Sequence, residues 1–209
     1  MTDFSSSTLR NFLDDLGSSA PTPGGGTAAA VAGAMGAALA EMVAALTLSR
    51  EKYASAHEAM RPIAQAAASA RAKLLALSRE DSEAFDEVVA ARRLPKATEE
   101  EKAGRDAKIA AANLRASQVP LETARTAGRL LESIPDLAEL GNPNAASDAG
   151  AAALLLEAAV QGALLNVAIN LSGLADSALS EEIRQEAETL QVDASRLRDR
   201  ALGFARGRM

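Results

Sequence analysis

Apolar residues recur along this chain at alternating spacings of four and three, the mark of helical faces that pack on neighbours. One row runs Ile63, Ala67, Ala70, Leu74, Leu77, Asp81, Ala84 and Val88. Every member is apolar except Asp81. A second row, Ile183, Ala187, Leu190, Ala194, Leu197, Ala201 and Phe204, predicts a final helix starting near Ser180. Leu9, Phe12, Leu13 and Leu16 predict a short first helix over 7–16. A loop with Pro21, Pro23 and three successive glycines follows, and a second helix covers about 27–50. Its small residues recur at Ala29, Gly33 and Ala37, and again at Gly36, Ala40 and Ala44, a spacing that lets another backbone approach closely.

The third helix spans about 59–91 and ends at Leu94-Pro95-Lys96. Thr98-Glu99-Glu100-Glu101 has the pattern of a capping box and opens a fourth helix. Pro120 should kink or divide that helix, because it removes one ladder hydrogen bond and its ring crowds the preceding turn. Asn142-Pro143-Asn144 reads as a turn, and Ser147-Asp148 as the opening of a fifth helix. No strand pattern, tandem repeat or domain-separating linker is visible. The expectation is an all-α fold, a multi-helical bundle of about six to eight helices with no sheet, forming a single domain over 1–209.

Composition narrows the chemistry. Hydrophobic residues make up 48% of the 209 and aromatics only 2%, so the core must be built from Ala, Leu, Val and Ile. A net charge of −6, with no basic stripe interleaved with aromatics, points away from nucleic acid and from anionic membrane surfaces. There is no cysteine for a disulfide, a thiolate nucleophile or a thiolate metal site. The single His57, flanked by Ser55, Glu58 and Arg61, excludes a multi-histidine metal site within one chain and reads as a solvated residue. The start of the chain shows no basic region followed by an apolar run, so no signal peptide is expected and the compartment is read as cytoplasmic. Two stretches, 24–40 and 149–171, approach membrane-like composition. Their Ala, Gly and Asn content suits central helices of a soluble bundle better than spans.

Asp81 is the leading candidate for chemistry. A carboxylate on a packing stripe is withdrawn from water, which disfavours its charged form unless a cation or donors meet it. It either pairs with a basic residue on a neighbouring helix or serves a site. Gly24-Gly25-Gly26 precedes a helix start. It is either a tight turn needing positive φ or a place where amides and the helix dipole meet negative charge, with Thr27 able to cap the helix. The lysine and hydroxyl of a nucleotide-phosphate loop are absent. Asn166 and Asn170 share a face, four residues apart, in an almost wholly apolar helix. They either bond across helices or recognise a polar heterocycle. Asp148 reads first as a helix cap.

Together these segments resemble a known family. Thr22-Pro23-Gly24-Gly25-Gly26-Thr27-Ala28-Ala29-Ala30 is similar to the opening motif of the cyclodeaminase/methenyltetrahydrofolate cyclohydrolase family, which includes the deaminase half of formiminotransferase-cyclodeaminase. Asp81 to Phe85, followed by Leu94-Pro95-Lys96, resembles its second block. Gly141-Asn142-Pro143-Asn144, Ser147-Asp148-Ala149-Gly150, and 162–171 with Asn166 and Asn170 resemble its third. The blocks occur in order over nearly the whole chain. The resemblance implies an all-helical homodimer acting on a tetrahydrofolate substrate, with no further cofactor. It places the catalytic aspartate at Asp81. Substrate-binding positions are implied at Thr22, Gly24, Gly25, Gly26, Lys96, Asn142, Asn144, Asp148, Asn166 and Asn170. The asparagines would bond the pterin or fix the loop carrying Asp148, and Lys96 or Lys52 would receive the folate carboxylate.

The expected reaction is hydrolysis of 5,10-methenyltetrahydrofolate to 10-formyltetrahydrofolate. The alternative within the family is 5-formiminotetrahydrofolate cyclodeaminase, releasing ammonia. Two readings of other classes are a non-catalytic folate-binding or structural helical dimer, and an interaction module recruiting a partner through the last helix's seam.

Overall fold

The row containing Asp81 lies on the inner face of a 36-residue helix, α3 (His57–Arg92). Ile63, Ala67, Ala70, Leu74, Leu77, Ala84 and Val88 are all buried there. The computed structural model describes residues 7–171 and 178–209. Within them the remaining helices are α1 (Leu9–Leu16), α2 (Gly25–Leu48), α4 (Glu99–Leu131), α5 (Ile134–Leu140), α6 (Ala146–Leu171) and α7 (Ala178–Gly207). Two 3₁₀ turns occur, Glu51–Ala56 before α3 and Pro143–Ala145 before α6. No strand occurs among the described residues.

Helix α2 is sandwiched between α3 and α6, and α4 closes the other side against α3 and α6. Small residues make the α2–α6 contact possible. A methyl on Gly36 would sit 2.9 Å from Leu156 Cγ and 3.1 Å from the Ala152 carbonyl. One on Gly33 would sit 3.1 Å from Ala159 Cβ, and one on Gly162 3.2 Å from Ala29 Cβ. Partners step down α6 as they step up α2, so the two helices run antiparallel. The N-terminal end of α2 therefore meets the C-terminal end of α6. Among the described residues these are also the two stretches long and apolar enough, by length and composition, to cross a membrane. About half of each apolar window is buried inside the protein.

Several expectations hold in detail. Thr98 and Glu101 make both halves of the capping box at the start of α4: Glu101 N donates to Thr98 Oγ1 at 3.1 Å and Thr98 N to Glu101 Oε2 at 3.1 Å. The seam of α7 is spent inside the chain: Ile183, Ala194 and Ala201 are buried, and Ala187, Leu190, Leu197 and Phe204 pack against the core. It is therefore not an exposed recruiting surface. Arg125 of α4 ties α7 down further through a two-pronged bond to Glu186, both contacts at 2.6 Å.

Other expectations change. Helix α4 is not divided at Pro120, which lies inside one continuous helix. Helix α5 was not anticipated, since seven residues are too few to display a helical period. Of the α1 face only Phe12 is buried, while Leu9 and Leu13 remain exposed.

Candidate active site

Asp81 projects from α3 onto the first turn of α2. Thr27, itself fully buried, donates its hydroxyl to Asp81 Oδ2 at 2.8 Å, and its backbone amide also bonds the carboxylate. Ser82 Oγ lies 3.2 Å from the same Thr27 hydroxyl. Burial is the largest influence on Asp81 and pushes its carboxyl above the usual aspartate range; the Thr27 hydroxyl and amide oppose this only in part. Among the described residues no basic side chain contributes, so the ion-pair reading of Asp81 falls away.

The glycines explain why the carboxylate can come this close. Helix α2 begins at Gly25, two residues earlier than the sequence predicts, so Gly25 and Gly26 form its opening turn. No glycine among the described residues has positive φ, so the tight-turn reading fails. The reason for Gly26 is proximity: a methyl there would overlap Oδ1, Cγ and Oδ2 of Asp81. Thr27 is not the helix cap. Gly24 occupies that position with no side-chain bond, and the Thr27 hydroxyl is committed to Asp81. The amides of Gly25 and Gly26 have no acceptor within the helix, and the helix dipole adds partial positive charge beside them.

Asp81 opens into a cleft of about 500 Å³. Pro21, Thr22, Gly24, Gly25 and Gly26 form one rim. Asp81, Phe85, Val88, Val89 and Arg92 supply a wall from α3, Asn113 and Ala116 a wall from α4, and Asn166, Ile169 and Asn170 the end of α6. Phe85 is 40% and Ile169 69% exposed, a large apolar area left open beside polar groups. Asn166 Nδ2 donates to the Gly162 carbonyl at 2.9 Å. Asn170 has a separate task. Pro120 lacks an N–H, which leaves the carbonyl four residues back, that of Ala116, without its helical donor. Asn170 Nδ2 supplies one at 2.6 Å. This cross-helix bond keeps α4 continuous at the cleft wall.

The other sequence-derived site residues lie elsewhere. Asn142 is 4% exposed and caps the 3₁₀ turn before α6. Its side-chain oxygen accepts from Tyr53 Oη at 2.9 Å and from Asn144 N at 3.0 Å, and its own N–H donates to Thr47 Oγ1 at 2.9 Å. Thr47 stands 22 residues beyond Gly25 in α2, about 33 Å along the helix. Asn142, Asn144 and Asp148 therefore sit at the far end of the α2–α6 pair and do not join Asp81 within one chain. Their turn signature in sequence reflects the chain reversal into α6, with Asp148 in its first turn rather than at its cap. Lys52 is also at that end, its ammonium 4.7 Å from the Tyr53 ring centre. Lys96 is exposed in the α3–α4 connection and does not line the cleft.

Sequence reasoning missed Arg92, Val89, Asn113 and the role of Thr27. The α3 residues had a usable signal: Asp81, Phe85, Val88, Val89 and Arg92 share one helical face. A second groove of about 550 Å³ on the α3–α4 pair includes Glu87 and Arg115, which are already joined as an ion pair. No cluster of three potential metal-ligating side chains occurs among the described residues.

The described residues thus form a helical bundle with a sheltered carboxylate of raised pKa set against a helix N-terminus and open to a partly apolar cleft. The chain belongs to the formiminotransferase-cyclodeaminase family, whose pattern matches residues 8–189. It is 45% identical to a methenyltetrahydrofolate cyclohydrolase of Methylorubrum extorquens, over 92% of this chain and 93% of that protein. It is 38% identical to a formimidoyltransferase-cyclodeaminase of Sus scrofa over 89% of this chain, but spans only 34% of that longer relative. The crystal structure of a formiminotetrahydrofolate cyclodeaminase from Thermotoga maritima superposes with a TM-score of 0.87 at 33% identity, covering 97% of this chain and 98% of that one.

Proposed function

We propose that this protein hydrolyses 5,10-methenyltetrahydrofolate to 10-formyltetrahydrofolate. The observation that carries the proposal is Asp81: a half-buried carboxylate with no cation partner among the described residues, its pKa raised, facing a cleft of about 500 Å³. The methenyl carbon lies in an amidinium cation, which complements a carboxylate poor in other counter-charge. Asp81 takes a proton from the attacking water as oxygen bonds to that carbon. It returns the proton to N5 as the carbon–N5 bond breaks. The carbinol proton leaves to solvent as the formyl carbonyl forms, so cation plus water gives neutral product plus one proton. A carboxyl pushed above its ordinary range is the better base for this work. No redox change occurs, and we propose no cofactor beyond the folate itself. The 45% identical relative, matched over nearly its full length, supports this reaction.

The second reading is cyclodeamination of 5-formiminotetrahydrofolate, supported by the similarity to the Thermotoga maritima structure. Here N10 closes on the formimino carbon while Asp81 carries the N10 proton to the imino nitrogen. A second proton, taken from solvent and passed on by Asp81, lets that carbon–nitrogen bond break, so the neutral substrate plus one proton gives the methenyl cation and ammonia. Purified protein mixed with methenyltetrahydrofolate should accelerate loss of its ultraviolet chromophore, and with 5-formiminotetrahydrofolate should release little ammonia. Ammonia release as the faster reaction would reverse the assignment; activity on neither would leave a binding protein.

The working unit is proposed to be a homodimer. Met35, Met42 and Leu46 of α2 and Leu154 and Leu165 of α6 form exposed apolar rows on the central helix pair, a surface larger than scattered apolar residues need explain. Light scattering should give twice the chain mass, and Leu165→Glu should shift it toward the monomer. A monomeric native chain would contradict this.

A further inference from the structure

Helix α3 lays out a charge sequence along the cleft. Asp81, Phe85, Val88, Val89 and Arg92 all line it. Eleven residues separate the two charged ends. That is close to three full turns, so both ends lie on nearly the same face, about 16 Å apart along the axis. Long helical side chains favour leaning toward the N-terminus, and an arginine is long enough in that direction to shorten the gap to Asp81 by several ångströms, roughly one helical turn. Among the described residues no carboxylate meets that guanidinium. Other arginines of α3 and α4, Arg79, Arg105 and Arg115, each have one, in Glu83, Asp106 and Glu87. The wall thus runs carboxylate, aromatic ring, valines, cation.

We infer that Arg92 anchors the substrate's glutamate carboxylates, and that the cleft orients a folate along α3 with its reacting carbon at Asp81 and its tail at Arg92. The inference rests on the folate reading above and adds the direction of binding and a specificity residue. A folate presents the complementary series: a cationic or proton-accepting centre, a flat p-aminobenzoyl ring, then carboxylates. By ordinary bond lengths the reacting carbon and the first carboxylate are about 10 Å apart, within the span left after the arginine side chain reaches back. Phe85 and Val89 offer apolar surface to the ring between them. Lys96, four residues further on, is exposed and lies outside the cleft.

The test compares two ligands differing only in the glutamate. Equilibrium binding of 5-formyltetrahydrofolate and of 5-formyltetrahydropteroate, which lacks the glutamate, is measured alongside turnover of the corresponding methenyl compounds. The native chain should prefer the glutamate-bearing ligand about tenfold, the size expected of a charge-assisted contact near solvent, and the preference should shrink as salt rises. Arg92→Gln should lose the preference by weakening only the glutamate ligand, Arg92→Lys should restore part of it, and Arg93→Gln, one residue round the helix, should keep it whole. A preference intact in Arg92→Gln overturns the inference while leaving the enzyme assignment untouched. A preference lost in Arg92→Gln without turnover of either methenyl compound supports the anchor and sinks the catalytic reading. Failure of both ligands to bind overturns both.

Discussion

Asp81→Asn should lower turnover of methenyltetrahydrofolate by about 10²- to 10⁴-fold, the range associated with a positioned general base, while the bundle still folds. The amide is nearly isosteric and its oxygen can still accept from the Thr27 hydroxyl, so the α2–α3 contact survives. What disappears is the ability to take a proton from water and the negative charge facing the cation. The same substitution should change stability in the opposite sense. Burial raises the Asp81 pKa above its unfolded value, so the native state binds this proton more tightly than the unfolded chain. Between the two pKa values stability therefore falls as pH rises, and above both the native state carries the full cost of a desolvated charge. Asparagine does not titrate. The melting temperature of Asp81→Asn relative to the native chain should thus climb as pH is raised from about 4, the ordinary aspartate value, and level off once the folded carboxyl has ionised. Thermal melts across that interval measure this directly, and stopped assays measure turnover. An unimpaired rate would remove Asp81 from the reaction, and a pH-independent melting difference would mean that burial does not govern its ionisation.

Gly26→Ala should be nearly as damaging, although it adds one methyl and no charge. On an exposed helix that exchange stabilises by about 1 kcal/mol. Here the new Cβ would overlap all three atoms of the Asp81 carboxyl group. Either the carboxylate rotates away, giving up the Thr27 bond, or α3 moves off α2. Overpacking of this kind costs about 1–3 kcal/mol, which outweighs the gain in helix propensity, so the variant should melt lower than the native chain. A displacement of the base by about 1 Å is enough to cost on the order of 100-fold in rate, and that is the expected loss. Because both substitutions disable one unit, the double variant Gly26→Ala/Asp81→Asn should be no slower than Asp81→Asn alone. Losses that multiply would show that Gly26 acts independently of the carboxylate.

Periodicity in sequence was enough to place Asp81 on the buried face of α3, to locate the capping box at Thr98 and to mark Gly33 and Gly36 as packing positions. Each is a local property: a helix puts residues three and four apart on one side, and a cap lies within four residues of what it caps. The same locality explains the failures. Asn142, Asn144 and Asp148 carry the residue types of a binding loop, yet the bonds of Asn142 to Tyr53 and Thr47 hold that turn, and the start of α6 that follows it, at the opposite end of α2.

Helical phase puts Arg92 on the face of Asp81 and Arg93 off it, but nothing in the chain told Arg92 apart from Lys96 as the cation at the cleft. That distinction requires knowing where α4 and α6 lie. Thr27 reads as a cap from its neighbours in sequence, and only the crossing of α2 with α3 turns its hydroxyl into a donor to a carboxylate 54 residues away. Asn170 is legible as a misplaced amide, but its partner is a carbonyl freed by a proline 50 residues earlier, on another helix. The chain's own spacing determined that this is a helical bundle with one acidic residue on an inner face. The antiparallel packing of α2 on α6 and the approach of α3 to the α2 N-terminus decided which polar groups face that acid, because contacts between distant residues are set by how helices cross and not by the period within any one of them.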